Sequence, residues 1–249
     1  MGVGLGVLAG TGLRLLAPWL TPGSLPPLGQ LAEPQVPRTL ELGQFQAKQE
    51  LAQLSQRWQQ LATAQKDLKA TGFMLVLDDG RYAQLAPDQP MPAASSIKTP
   101  VLVVALEDLD AGKVRWNAPL QLTKELVGGG AGWMATRPLG TRFPFHEAAT
   151  EMIRVSDNSA TNLVIQKLGG KAAVNARFQA MGLPATVLNN WLPDLDGTNT
   201  TSARDLARAI AVVDTGETLS PRARDHFREI MATSGTDTLI PQGLLQGLG

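Results

Sequence analysis

One stretch of this chain reads as paired strands, and the chain beyond it reads almost entirely as helix. GFMLVLDDGRYAQLAPD, residues 72–88, is an apolar run, an Asp79-Gly80 turn and a second extended run, the pattern of a β-hairpin. Beyond it the apolar residues recur with a helical period at roughly 98–111, 145–154, 159–168, 171–181, 203–213 and 221–232. Gly112, Gly169, Gly182 and Gly216 stand where these helices should stop. Ser202 with Asp205 has the spacing of a capping box, and Ser220-Pro221 is a good helix start. A further helix is expected upstream, over 39–68. There Ala47, Leu51, Leu54, Trp58, Leu61 and Leu68 make an apolar stripe that either packs on the sheet of its own domain or forms a short coiled-coil arm. The order is helix, two strands, then a block of helices, which is an α+β arrangement. Two strands make a poor sheet, so another segment should return to complete it.

The 249 residues are 43% apolar and 18% charged, enough to build a core. The formal net charge is zero and there is no basic tract to follow phosphates, so no nucleic-acid partner is expected. The chain has no cysteine, which removes disulfides, thiolate metal sites and a thiol nucleophile. Its two histidines, His146 and His226, are far apart without ligand spacing, so neither a metal site nor a Ser-His-Asp triad is expected. A serine nucleophile would have to rely on a lysine or a carboxylate. Residues 1–20 are apolar except for Arg14, and read as an export signal, an N-terminal membrane anchor or a plain leading tail. Pro22, Pro26, Pro27, Pro34 and Pro37 make 21–37 a linker. The folded domain is therefore placed at 38–249, its helical part at about 95–235.

The chemistry concentrates in MPAASSIKTP, residues 91–100. At a helix start, Ser95 and Lys98 share one face because three residues are nearly one turn. The free N–H groups and positive dipole end of a helix N-terminus favour an alkoxide or oxyanion there. A lysine can take the hydroxyl proton if burial lowers its pKa. Ser96 is only two positions from Lys98, on a different face. Alone the S-x-x-K pattern proves little, since it turns up about once by chance in a chain of this size. Ser156-Asp157-Asn158 changes that, because a chance S-D-N is expected on the order of 0.05 times per chain.

The two motifs, in this order, resemble the penicillin-recognising serine hydrolases, most closely class A β-lactamases. The likeness continues through LEDLDAGKV after the lysine, KELVGGGAGWM at 124–134, SDNSATNLVIQKLGG at 156–170 and TNTTSARDLA at 198–207. It covers roughly residues 45 to 249. It implies a β-lactamase/transpeptidase-like fold with an all-helical subdomain and an α/β subdomain present only as its N-terminal helix and first two strands. The resemblance makes Ser95 the acylated nucleophile and Lys98 its proton acceptor or network partner. Ser156 would carry a proton to the β-lactam nitrogen, and Asn158 would hold the ligand's amide side chain. Asp157 would support the loop from behind, and Asn162 matches the asparagine that orients the deacylating glutamate. Trp133 is either a wall of the cleft or a core residue. The implied ligand is a β-lactam or a peptidoglycan stem-peptide-like small molecule. The implied protein is a monomer without metal or organic cofactor, periplasmic or otherwise extracytoplasmic.

Two departures stand out. In NNWLPDLDGTNTTS, residues 189–202, the position of the deacylating glutamate is Leu192, which cannot accept a proton. Asn190 and Asn199 stand where the family pins this loop with an Arg–Asp ion pair. Asp194 and Asp196 are the nearest carboxylates. Asp196 is the candidate replacement base, against the alternative that both are turn residues beside Gly197. Second, DTLIPQGLLQGLG at 237–249 is where the family leads into its K-T-G strand, and no K-T-G is present. That strand supplies a cationic wall and an oxyanion-hole donor, so weak stability or lost activity is expected unless another segment completes the domain. Three readings stay open: a β-lactamase, a penicillin-binding acyltransferase that deacylates slowly, and a degenerate binding protein with an inert Ser95.

Overall fold

The expected hairpin forms as β2 (Gly72–Leu75) and β3 (Arg81–Leu85), antiparallel, with Gly72 opposite Leu85 and Leu75 opposite Tyr82. These strands belong to a computed structural model that describes residues 47–65, 69–216 and 218–235. The segments read as signal or anchor (1–20) and linker (21–37) lie outside the described residues, as does DTLIPQGLLQGLG.

The sheet holds one strand more than expected. β1 (Gln49–Glu50) runs parallel to β3, giving the order β1-β3-β2 with Ala83 of the central strand fully buried. Two polar residues have no period to read, which is why the sequence concealed this strand. The upstream helix is shorter than expected: α1 spans Ala52–Ala64, so Ala47 and Leu51 precede it, and 39–46 and 66–68 lie outside the described residues. α1 packs against β3, the own-domain alternative for this stripe, with Trp58 close against Gly72. The stripe is nevertheless poorly covered. No α1 residue is fully buried, and Leu61 is 54% exposed.

The helices follow their sequence patterns closely. They are α2 (Lys98–Asp110), α3 (Phe145–Arg154), α4 (Asn158–Lys167), α5 (Gly170–Ala180), α6 (Ala203–Thr215) and α7 (Pro221–Ala232). α2 is apolar on nearly all sides, the pattern of a buried helix, and it packs against all five of the others. Its residues Val101 to Leu106 are the centre of the core. Ser202 and Ser220 cap α6 and α7 by accepting from the backbone N–H of Asp205 and Ala223. The capping box is only half closed, because the Asp205 carboxylate accepts instead from Ala185 N and Thr186 Oγ1.

Two short ribbons fix the loops between helices. β5 (Pro119–Gln121) pairs with β6 (Arg142–Pro144), and β4 (Met91–Pro92) pairs with β7 (Thr200–Thr201). The second ribbon matters for function. Together with Ala93 N donating to Asn199 O, at 2.7 Å, it ties the segment before Ser95 to the 189–199 loop. Among the described residues no helix is long and apolar enough to cross a membrane.

Candidate active site

Ser95 sits in a tight 3-10 turn, Ala94–Ile97, that runs directly into α2 rather than in the α-helix itself. This places its hydroxyl at the exposed end of a buried helix. Lys98, the first residue of α2, is 2% exposed. Its Nζ lies 3.3 Å from Ser95 Oγ, 2.8 Å from Ser156 Oγ, 2.6 Å from Ser156 O and 2.9 Å from Asn158 Oδ1. Ser156 Oγ closes the triangle at 2.9 Å from Ser95 Oγ. Ser96 takes no part, since its hydroxyl donates to Ala93 O at 2.5 Å.

The four partners of Lys98 are not equivalent. Two are carbonyl oxygens, which only accept, and two are hydroxyls, which donate or accept. A neutral amine therefore spends its two N–H groups on Ser156 O and Asn158 Oδ1, and turns its lone pair to the hydroxyls. An ammonium would use its third proton on a hydroxyl instead. Burial drives the lysine toward the neutral form. Desolvation outweighs the favourable charge of Asp157 and lowers the Lys98 pKa from 10.5 to about 8.

This has a measurable consequence. If the neutral amine is the base, acylation of Ser95 should rise with pH through about 8 and level off above it. Stability should move in the same direction over a higher window. Between about 8 and 10.5 the unfolded chain still holds the lysine proton that the native state has released, so stability rises with pH there. Single-turnover labelling from pH 6 to pH 10, with melts across the same range, checks both.

Ser156 has φ +58°, the left-handed region that a side-chain-bearing residue seldom adopts. The bend lets one residue present both its carbonyl and its hydroxyl to Lys98. Asp157, fully buried, secures the bend from behind. Its Oδ2 accepts from Trp133 N (2.7 Å) and Met134 N (2.8 Å), and its Oδ1 caps α4 by accepting from Ala160 N (2.9 Å). Gly132 makes room for that carboxylate. A Cβ there would lie 2.1 Å from Asp157 atoms, at φ +84°. Asn158 holds Lys98 through Oδ1 and donates through Nδ2 to Gly129 O at 2.8 Å. Its contact with the lysine went unread in the sequence, which pointed only to the ligand. Ser159 was missed altogether; its hydroxyl accepts from Gly128 N at 2.9 Å. Trp133 packs partly buried against the core and stands edge-on to Phe143, with its indole N–H donating to Glu151 Oε2 at 2.7 Å.

Asn162 grips Leu192 from both sides. Its Nδ2 donates to Leu192 O (2.7 Å) and its Oδ1 accepts from Leu192 N (2.9 Å). Leu192 is 4% exposed, so an aliphatic side chain fills this place. Asn199, 1% exposed, clamps the same loop. Its Oδ1 accepts from the backbone N–H of Asn189 and Asn190, and its Nδ2 donates to Asn190 O. The two aspartates behave differently. Asp194 accepts from Asn199 N, Thr198 Oγ1 and Asn190 Nδ2; burial opposes them, but these bonds hold its carboxyl below the usual range. Asp196 is exposed and makes no side-chain hydrogen bond among the described residues, so no hydrogen bond joins it to the Ser95–Lys98–Ser156 cluster. Neither histidine joins the cluster. His146 contacts Trp116 O and His226 faces Glu229. The described residues contain no group of side chains able to hold a metal.

A family model described as the beta-lactamase enzyme family matches residues 53–248. A β-lactamase of Streptomyces albus G is 31% identical over 156 residues, covering 58% of this chain and 50% of the relative. A β-lactamase of Rhodobacter capsulatus is 31% identical over 147 residues, at 57% and 50% coverage. The chain thus spans about half the length of the curated relatives it matches. Among solved structures, PBP-A superposes with a TM-score of 0.77 at 42% identity, covering 79% of this chain and 74% of that one. An ancestral class A β-lactamase superposes with a TM-score of 0.65 at 25% identity, covering 74% and 72%. The family model matches more than half of the chain, and the fold is shared with these solved structures: the chain belongs to the beta-lactamase enzyme family.

Proposed function

We propose that this chain is a serine acyltransferase of the penicillin-binding kind, whose Ser95 is acylated by a β-lactam or a stem-peptide-like amide and is freed slowly. In the acylation step Ser95 Oγ attacks the amide carbonyl carbon. Its proton passes to Lys98 Nζ, through Ser156 Oγ or directly; the route through Ser156 is supported by its shorter contacts, 2.9 and 2.8 Å against 3.3 Å. The C–N bond then breaks, and the departing nitrogen takes a proton from Ser156 Oγ, which Lys98 replenishes. The product is an ester on Ser95.

The observation that carries the slow second half is the Asn162–Leu192 pairing. Both polar ends of Asn162 are engaged by the Leu192 backbone, and the side chain there is a buried hydrocarbon. A hydrocarbon offers a water no proton acceptor. One of the similar solved structures is described as a leucine-to-glutamate mutant of PBP-A in an acyl-enzyme complex with penicillin G. Such an adduct is what is expected here at Ser95. A β-lactamase reading needs another base, and Asp196 makes no hydrogen bond to the cluster.

Incubating the full chain with penicillin G and following the adduct by mass spectrometry tests the proposal. A long-lived mass increase on the Ser95 peptide, absent in Ser95→Ala, is the expected result. Leu192→Glu should shorten the adduct's life by at least about 100-fold, the low end of what a placed general base contributes. Asp196→Asn should leave it unchanged. No adduct at Ser95 would refute the reading. Rapid turnover lost in Asp196→Asn would establish hydrolysis in its place. On this reading the chain works outside the cytoplasm, where stem peptides are exposed.

A further inference from the structure

The geometry points to a second binding site, for a small aromatic carboxylate, between the C-terminal end of α2 and the first turns of α7. A cavity of about 430 Å³ lies there, lined by Leu109, Asp110, Arg115, Trp116, Asn117, Arg222, Ala223 and His226. That volume is within the range of about 300–1,000 Å³ typical of small-molecule sites. None of these residues belongs to the Ser95 cluster.

The lining divides into a flat wall and a cationic pair. The Trp116 and His226 rings lie 5.0 Å apart at 32°, and Trp116 is braced from behind by Phe145 at 6.0 Å. The Trp116 carbonyl also accepts from His146 N at 2.9 Å, which fixes the loop carrying it. The Arg115 and Arg222 side chains make no hydrogen bond or ion pair among the described residues. One carboxylate, Asp110, shares the lining, so two guanidinium groups stand against one negative charge. Asp110 spends both oxygens on Ser220, at 2.6 Å from its N and 2.7 Å from its Oγ, and so holds the start of α7. The last carbonyls of α2 are equally engaged, those of Asp108 and Leu109 accepting from Lys113, Val114 and Gly112. The start of α7 adds the positive end of its dipole.

A guanidinium fork is suited to a carboxylate, and a ring pair with aliphatic neighbours is suited to a planar apolar body. Both features on one cavity select a ligand with both parts. A neutral arene would leave the arginines unpaired, and an inorganic anion would leave the rings uncovered.

The test uses the full chain and two probes of one shape, 1-naphthoate and 1-naphthamide, titrated by calorimetry. The acid should bind at least about tenfold more tightly than the amide, and Arg115→Ala or Arg222→Ala should each weaken the acid about tenfold. Both arginines are exposed, so the variants should melt as the parent does and label at Ser95 at the parent rate. Equal binding of acid and amide would overturn the site. So would no binding of the acid up to about 10 mM, or unchanged affinity in the double variant.

Discussion

Lys98→Ala should slow acylation of Ser95 by about 10²- to 10⁴-fold, the usual contribution of a placed general base. The second-order rate of covalent labelling measures it. The size reflects the absence of a substitute. Among the described residues the other groups in contact with Ser95 and Ser156 are hydroxyls and carbonyls, and the histidines lie elsewhere. The rise in rate through pH 8 should vanish in this variant, which separates loss of the base from a general loss of fit. Labelling retained at more than about a tenth of the parent rate would remove Lys98 from the role of base.

The second large effect is on stability. Asp157→Ala should destabilise the fold by at least about 3 kcal/mol. It strands the N–H groups of Trp133, Met134 and Ala160, and each buried donor without a partner costs about 1–3 kcal/mol. A domain of this size loses about 2–4 °C of Tm per kcal/mol, so a drop of roughly 10 °C is expected by calorimetry. Asp196→Ala, an exposed aspartate in a turn, should change Tm by almost nothing. A drop of equal size in both would mean that burial of Asp157 is not the cause. Where the Asp157 variant can be labelled, its pH limb should move down, because the carboxylate's charge is what opposes desolvation of Lys98.

The central helices and the Ser95–Lys98–Ser156 triangle were legible from the sequence for a physical reason. α2 to α7 combine strong apolar patterning with local stop and start residues, so their ends are written within a few positions. Ser95 and Lys98 are joined by one turn of backbone, and only Ser156 had to come from afar. What stayed hidden depends on pairing across the chain. β1 is two polar residues recognised only by their partner β3, and β4 is known only by its contact with β7. The stripe over 39–68 says which face is apolar but carries no cap to mark a start, so the expected helix began before Ala52. Likewise nothing local says that Asn158 reaches Lys98, or that Ser159 holds Gly128. Those roles arise from the bend at Ser156, a conformation no pattern of apolar residues encodes.

The clamp built on Asn199 gives the 189–199 loop an unusual indifference to its medium. Its bonds run from amide to amide and from N–H and O–H groups to an aspartate, Lys171 Nζ donates to Asn189 O at 2.6 Å, and among the described residues no ion pair crosses it. Dissolved electrolyte weakens attractions between separated charges, over about 10 Å at 0.1 M, but acts far less on hydrogen bonds made at contact. The loop that seats Leu192 should therefore keep its form from dilute buffer to brine.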